Sequence, residues 1–173
     1  MKKFTNVGDI GDLQLAIKEA REVKNNPYGF QDLGRNKTII LLFFNSSLRT
    51  RLSSQKAAAN LGMNVMVMNL NNDGWSIELE DGTIMNQGSQ EHIKEAAKVI
   101  AQYCDIVAIR AFATLVDQEK DQSEEVINNF IKYAISISIV YFYFYISRAL
   151  KSECNDKFDK LIFKPYLSLM LIS

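Results

Sequence analysis

Five consecutive residues, Ser47-Leu48-Arg49-Thr50-Arg51, place two hydroxyls and two guanidinium groups within little more than one turn of chain. Hydroxyls are adaptable hydrogen-bond partners and arginines are planar, permanently charged forks, so the set suits an oxyanion with several acceptor oxygens, a phosphate above all. The same residue types also make an ordinary Ser-capped helix start with solvent-facing arginines, so the surroundings must decide between the two. Just before them, Thr38 to Phe44 is an unbroken apolar or β-branched run without polar alternation, which predicts a strand buried on both faces, as in parallel sheets. Asn45-Ser46 ends that run. From Leu48 the period turns helical, with Leu48, Leu52 and Ala59 on one face and Gly62 as a C-terminal stop just past Leu61. Ser47 is therefore predicted to be the N-cap. A helix that starts straight after a parallel strand points unpaired backbone N–H groups and a positive dipole end outward, where the hydroxyls and arginines join them as a phosphate cradle.

The remaining elements must hold that turn in place. A helix is predicted over Asp9 to Lys24, with Leu13, Ala16, Ile17 and Ala20 on one face, and a polar connector, Tyr28 to Lys37, leads from it into the first strand. Met63 to Leu70 reads as a second strand, Glu91 to Tyr103 as a helix buried through Ile93, Ala96, Ala97 and Ile100, and Asp105 to Arg110 as a third strand. Ser123 is placed to cap a further helix, Glu124 to Tyr133, with Val126, Ile127, Phe130 and Ile131 inward. The alternation predicts an α/β fold with a doubly wound, mostly parallel sheet and helices on both faces. Ligands in such sheets lie beyond the carboxyl ends of the strands, which brings Arg110 beside the Ser47 turn despite the sequence gap. Taken alone, Arg110 is equally an ordinary strand-end charge. Trp75, the sole tryptophan, sits in a polar stretch running to about Gly88, long for a compact domain; it is either a local plug or a reaching group. His92, the sole histidine, opens the third helix and suggests no role of its own.

Composition narrows the partners. Twenty basic residues balance twenty acidic ones in 173, so no global field favours nucleic acid or an anionic membrane, and local arginines must supply any anion affinity. Cys104 and Cys154 match no metal spacing, and with a single histidine there is no ligand cluster; a reduced, cytoplasmic setting fits. The N-terminus has no apolar stretch of signal-peptide type, and the uncharged run that ends at Arg148 falls short of the ~20 residues a membrane span needs. The turn after the first strand also lacks G-x-G-x-x-G, which argues against a dinucleotide site.

The pentapeptide resembles the S-x-R-T-R carbamoyl-phosphate signature of the aspartate and ornithine carbamoyltransferases. Its wider context, Phe43-Phe44-Asn45-Ser46-Ser47-Leu48-Arg49-Thr50-Arg51, is most similar to the branch acting on N-acetylornithine or N-succinylornithine. The resemblance implies carbamoyl transfer from carbamoyl phosphate to the side-chain amine of an N-acylated ornithine, in arginine synthesis, with no cofactor, metal or covalent intermediate. It implies that Ser47, Leu48, Arg49, Thr50, Trp75 and Arg110 hold carbamoyl phosphate, that Arg51 supports the loop, and that Trp75 is lent across subunits of a homotrimer. Gln90 stands where the branches are distinguished by Glu or Pro, and matches neither. The resemblance runs from about Phe4 to Tyr133. It therefore suggests a carbamoyl-phosphate-binding domain over 1–133 and an atypical apolar tail over 134–173, in which neither the His-Pro-x-x-Gln that follows the family's fourth strand nor the Cys-Leu-Pro of its second domain occurs. That tail has the look of out-of-frame translation. The expectation is of a truncated, inactive form, or of a binding remnant, and of better solubility when cut after Tyr133, although Ile135 to Val140 has the propensity of a fourth strand.

Overall fold

The computed structural model describes residues 3–4, 10–70, 76–79, 89–111, 125–134 and 138–141, the first and last of these segments by their backbone. The elements in chain order are β1 (Lys3–Phe4), α1 (Leu13–Asn25), a 3-10 turn (Gln31–Leu33), β2 (Thr38–Phe43), α2 (Leu48–Asn60), β3 (Asn64–Asn69), β4 (Ile77–Glu78), β5 (Glu91–His92), α3 (Ile93–Gln102), β6 (Ile106–Arg110), α4 (Glu125–Tyr133) and β7 (Ser138–Tyr141). Five strands form one sheet in the order β1-β7-β6-β2-β3, with every pairing parallel. A two-stranded parallel ladder of β4 and β5 stands apart.

The continuous apolar run of β2 finds its reason here. Alternate residues Ile39, Leu41 and Phe43 pack with Ile106 and Ala108 against Val23 of α1 and Ala58 and Leu61 at the end of α2. Ile40 and Leu42 pack with Val107 and Ile109 on the other face, against Ile93, Ala96, Ala97 and Ile100 of α3 and Ile127 and Phe130 of α4. With a helix layer on each face neither set of side chains meets water, so the polar alternation of a half-exposed strand is absent. The expected α/β, doubly wound architecture is what forms.

The face of α2 that carries Leu48, Leu52 and Ala59 is its outer one: Leu48 is 74% and Leu52 57% exposed, whereas Thr50, Ser54 and Ala58 lie against the sheet. Small side chains let this helix approach closely, and Ser47 and Thr50 satisfy each other, so the inward stripe is not the hydrophobic one. Past the boundary expected at Tyr133, part of the stretch credited with strand propensity does form a strand. Ser138–Tyr141 is an inner strand, hydrogen-bonded to β6 on one side and to β1 on the other, because Ile139 and Val140 have the β-branched character that a central strand needs. Other expectations, those on Trp75, Ser123, Cys154 and residues 142–173, fall outside the described residues.

The path between α1 and β2 is locked by glycines at a close crossing. Gly62 ends α2 with φ +76°, and a Cβ on it would lie 2.5 Å from the Gln31 carbonyl oxygen; a side chain at Gly34 would meet the Leu61 carbonyl. At the same end of the sheet's strands, Asp105 ties the starts of β2 and β6: its carboxylate accepts from Thr38 N at 2.8 Å and its own N–H donates to Thr38 O at 2.9 Å.

Candidate active site

The strand order reverses at β2. The chain passes from β2 through α2 to β3 on one side, then through α3 to β6 on the other, so α2 and α3 leave on opposite faces and a crevice opens at the carboxyl ends of β2 and β6. Both ends carry chemistry. Phe43 pairs in register with Arg110, and Ser47 to Arg51 follows within a few residues of Phe43.

Ser47 takes up the cap geometry its type predicts. Its backbone is extended (φ −155°, ψ 111°), its Oγ accepts from Thr50 N at 3.3 Å, and its hydroxyl donates to Thr50 Oγ1 at 3.0 Å. Thr50 is buried, with its hydroxyl facing Ser47. Arg49 and Arg51 are exposed at the helix start, and among the described residues the side chain of neither has a hydrogen-bond or ion-pair partner. Two cations beside the positive end of a helix repel one another and the dipole, an arrangement that an anion relieves.

Arg110 plays a part that its residue type did not announce. It is 3% exposed, and its Nη1 donates to the Asn45 carbonyl at 3.0 Å and to the Ser46 carbonyl at 3.1 Å, while its own carbonyl accepts from Phe44 N at 2.9 Å. Three successive residues after β2 are thus tied to the last residue of β6. Because a trans peptide holds C=O and N–H on opposite sides, turning these two carbonyls toward Arg110 turns the following N–H groups, those of Ser46 and Ser47, away from it. Burial draws the guanidinium pKa down from its ordinary value, yet arginine keeps its charge at any physiological pH. Arg51 stands exposed, and two bonds to the carbonyls of the loop come from Arg110.

His92 proves to be the N-cap of α3: its Nδ1 accepts from Lys94 N at 3.1 Å, which asks for an unprotonated ring nitrogen, with Glu95 at 3.8 Å. Cys104 donates to the Ile100 carbonyl at 3.3 Å, and burial, with Asp105 beside it, pushes its thiol up to about 11. Among the described residues no group of three or more His, Cys, Asp or Glu could hold a metal ion, and no helix is long and apolar enough to cross a membrane. The bonds joining Ser76 to Gln90, Ser76 N to Gln90 Oε1 at 2.7 Å and Ser76 Oγ to the same oxygen at 2.8 Å, had no signal in the sequence, because either residue alone is an unremarkable polar loop residue.

A helix-start anion cradle at the switch point of a parallel sheet, braced by a strand-end arginine, defines a phosphate-ligand-binding α/β domain. Residues 2–134 match the family model described as aspartate/ornithine carbamoyltransferase, carbamoyl-P binding domain, and the chain belongs to that family. It is 52% identical over 134 residues to an N-succinylornithine carbamoyltransferase of Bacteroides thetaiotaomicron, covering 78% of this chain and 42% of that protein. It is 38% identical over 136 residues to an N-acetylornithine carbamoyltransferase of Xanthomonas campestris, covering 78% of this chain and 40% of the relative. Among solved structures, an N-acetyl-L-ornithine transcarbamylase variant complexed with carbamyl phosphate and N-succinyl-L-norvaline superposes with a TM-score of 0.76 at 34% identity, over 83% of this chain and 43% of that one. The chain thus spans about two fifths of the length of the curated relatives it matches.

Proposed function

We propose that this chain supplies the carbamoyl-phosphate half of a carbamoyltransferase acting on the side-chain amine of an N-acylated ornithine, in the synthesis of arginine. The observation that carries the reading is the Ser47 to Arg51 helix start at the sheet's switch point, with the adjoining loop drawn onto Arg110. In this reading the helix N-terminus and the side chains of Ser47 and Arg49 bind the phosphate, and Leu48 and Thr50 help to shape its backbone cradle. Arg51 supports them, Arg110 holds the loop and offers charge to the ligand, and Trp75 is lent by a neighbour in a homotrimer. Catalysis then consists of holding the amine against the carbonyl carbon and of stabilising the tetrahedral oxyanion with fixed donors. The higher identity to the succinylornithine enzyme favours a succinylated acceptor.

For the 173 residues by themselves we propose ligand binding without turnover. Proximity and oxyanion stabilisation together supply on the order of ten kcal/mol of barrier reduction when both substrates are enclosed. The chain spans about two fifths of the length of its curated relatives, which supports this reading. Titration calorimetry with carbamoyl phosphate tests the first claim, with NAD as the control; heat with the former alone is expected. An assay for N-acylcitrulline tests the second: formation well above a blank, abolished by Arg49→Ala, would place an acceptor site within these residues and overturn it.

A further inference from the structure

α2 crosses the sheet in step with its strands. Its buried residues Thr50, Ser54 and Ala58 recur every four positions, about 6 Å of helix, and alternate residues of a strand are about 6.6 Å apart. Met63 N donates to the Ala58 carbonyl at 3.0 Å, which sets the end of α2 beside the start of β3. Thr50, about two turns earlier, therefore stands over the far end of that strand. The row of the sheet found there is Asn69, Phe43 and Arg110, paired in register across β3, β2 and β6. Side chains of one row share a face. Phe43 packs on the α1–α2 side, so the side chains of Asn69 and Arg110 point to that side as well.

In this row the apolar strands turn polar. Phe43 is buried at its centre, with the guanidinium of Arg110 on one flank and the carboxamide of the half-buried Asn69 on the other. Both flanks also hold the backbone as it leaves β2: Phe44 N donates to Arg110 O and Leu70 N to Phe43 O, each at 2.9 Å. On the β6 side, Arg110 adds its bonds to the Asn45 and Ser46 carbonyls. On the β3 side the register supplies Asn69 beneath Thr50, which is 2% exposed and whose Oγ1 accepts from the Ser47 hydroxyl. A buried hydroxyl that accepts in this way still has its own proton to place, and a carboxamide both accepts and donates. We infer that Asn69 is a positioning residue for the anion cradle, holding Thr50, and with it the Ser47–Thr50 hydroxyl pair, from the β3 side. The inference rests on the assignment of that cradle to carbamoyl phosphate made above.

The test is calorimetry with carbamoyl phosphate on the 173-residue chain. Asn69→Leu keeps the volume and removes the carboxamide; it is expected to weaken binding about tenfold, with Tm moved by no more than about 4 °C. In a Thr50→Val background the same change should weaken binding by less than about twofold, because the hydroxyl that Asn69 holds is gone. Asn69→Asp sets a carboxylate beside the cradle. Its loss of affinity relative to wild type should narrow between about 0.05 M and about 0.5 M KCl, a salt dependence that a merely structural role would not produce. If Asn69→Leu does not fold, Asn69→Asp decides alone. Asn69→Leu binding within about twofold of wild type, while Arg49→Ala weakens binding tenfold or more, overturns this inference and leaves the cradle standing. So does an undiminished effect of Asn69→Leu in the Thr50→Val background, or an affinity ratio for Asn69→Asp that salt leaves unchanged. Binding that Arg49→Ala leaves intact defeats the cradle assignment instead, and this inference with it.

Discussion

At the scale of single residues, the two arginines of the site face opposite conditions, and their removal should read differently. Arg49 is exposed and its side chain is bonded to nothing among the described residues, so Arg49→Ala is expected to cost about 1.5–3 kcal/mol of carbamoyl-phosphate binding, roughly tenfold to a hundredfold or more, and to leave Tm unchanged. Arg110 is buried and holds two carbonyls, so Arg110→Ala should lower both affinity and Tm. Arg110→Lys should restore little, because an ammonium on a flexible stem does not reproduce a guanidinium fork. Calorimetry and thermal unfolding on the same samples separate the two cases; an Arg110→Ala chain of unchanged Tm would deny the brace. Cys104 gives a pH test. Its pKa rises from 9.0 to about 11 in the folded chain, so between those values the unfolded chain loses the thiol proton first and stability falls as pH rises. Alkylation at pH 8 should accordingly be slow until the chain unfolds, and a rate equal to that of a free thiol would contradict the burial. Residue type declared Ser47 as a cap, which forms, and left the pentapeptide open between an anion site and an ordinary helix start. It did not declare that Arg110 would brace backbone carbonyls, since a strand-end arginine looks the same in sequence whichever way its fork turns.

Elements were legible where one interaction dominated them. β2, β3 and β6 were marked by length and by β-branched content, and α3 by a stripe of Ile93, Ala96, Ala97 and Ile100 that the structure buries. The buried face of α2 was not legible, because its contact with the sheet uses Thr50, Ser54 and Ala58, which hydrophobic periodicity does not weigh. β4 and β5, two residues each, exist only through pairing across the chain and through Gln90, so no local pattern could announce them. Gly62 was read as a stop on type alone, and the structure supplies the reason in its positive φ and in the Gln31 carbonyl beside it. Gly62→Ala should therefore cost about 1–3 kcal/mol, through the left-handed backbone and the displaced turn together. A thermal midpoint within error of wild type would mean that the crossing relaxes freely.

For the whole molecule, the question is where the folded unit ends. The boundary at Tyr133 was drawn from sequence because the family pattern fades there and the following residues are monotonously apolar. A central parallel strand is monotonously apolar by necessity, so composition left two readings open, a fourth strand at Ile135 to Val140 and an atypical tail. The pairings bear on the choice: β7 covers the edge of β6 and is the strand to which β1 pairs. Cutting after Tyr133 would delete that strand, strand β1 at the N-terminus, and open the edge of β6, whose Val107, Ala108 and Ile109 are buried. An open apolar edge of that kind pairs with other chains. A chain ending at Tyr141 keeps all five strands. The shorter form is expected to aggregate and to lack a cooperative thermal transition, whereas the form ending at Tyr141 should be soluble and unfold cooperatively. Soluble yield, scanning calorimetry and sedimentation on the two forms check this. If the form ending at Tyr133 melted at the same temperature as the longer one, β7 would contribute nothing to the fold and the domain would close without it.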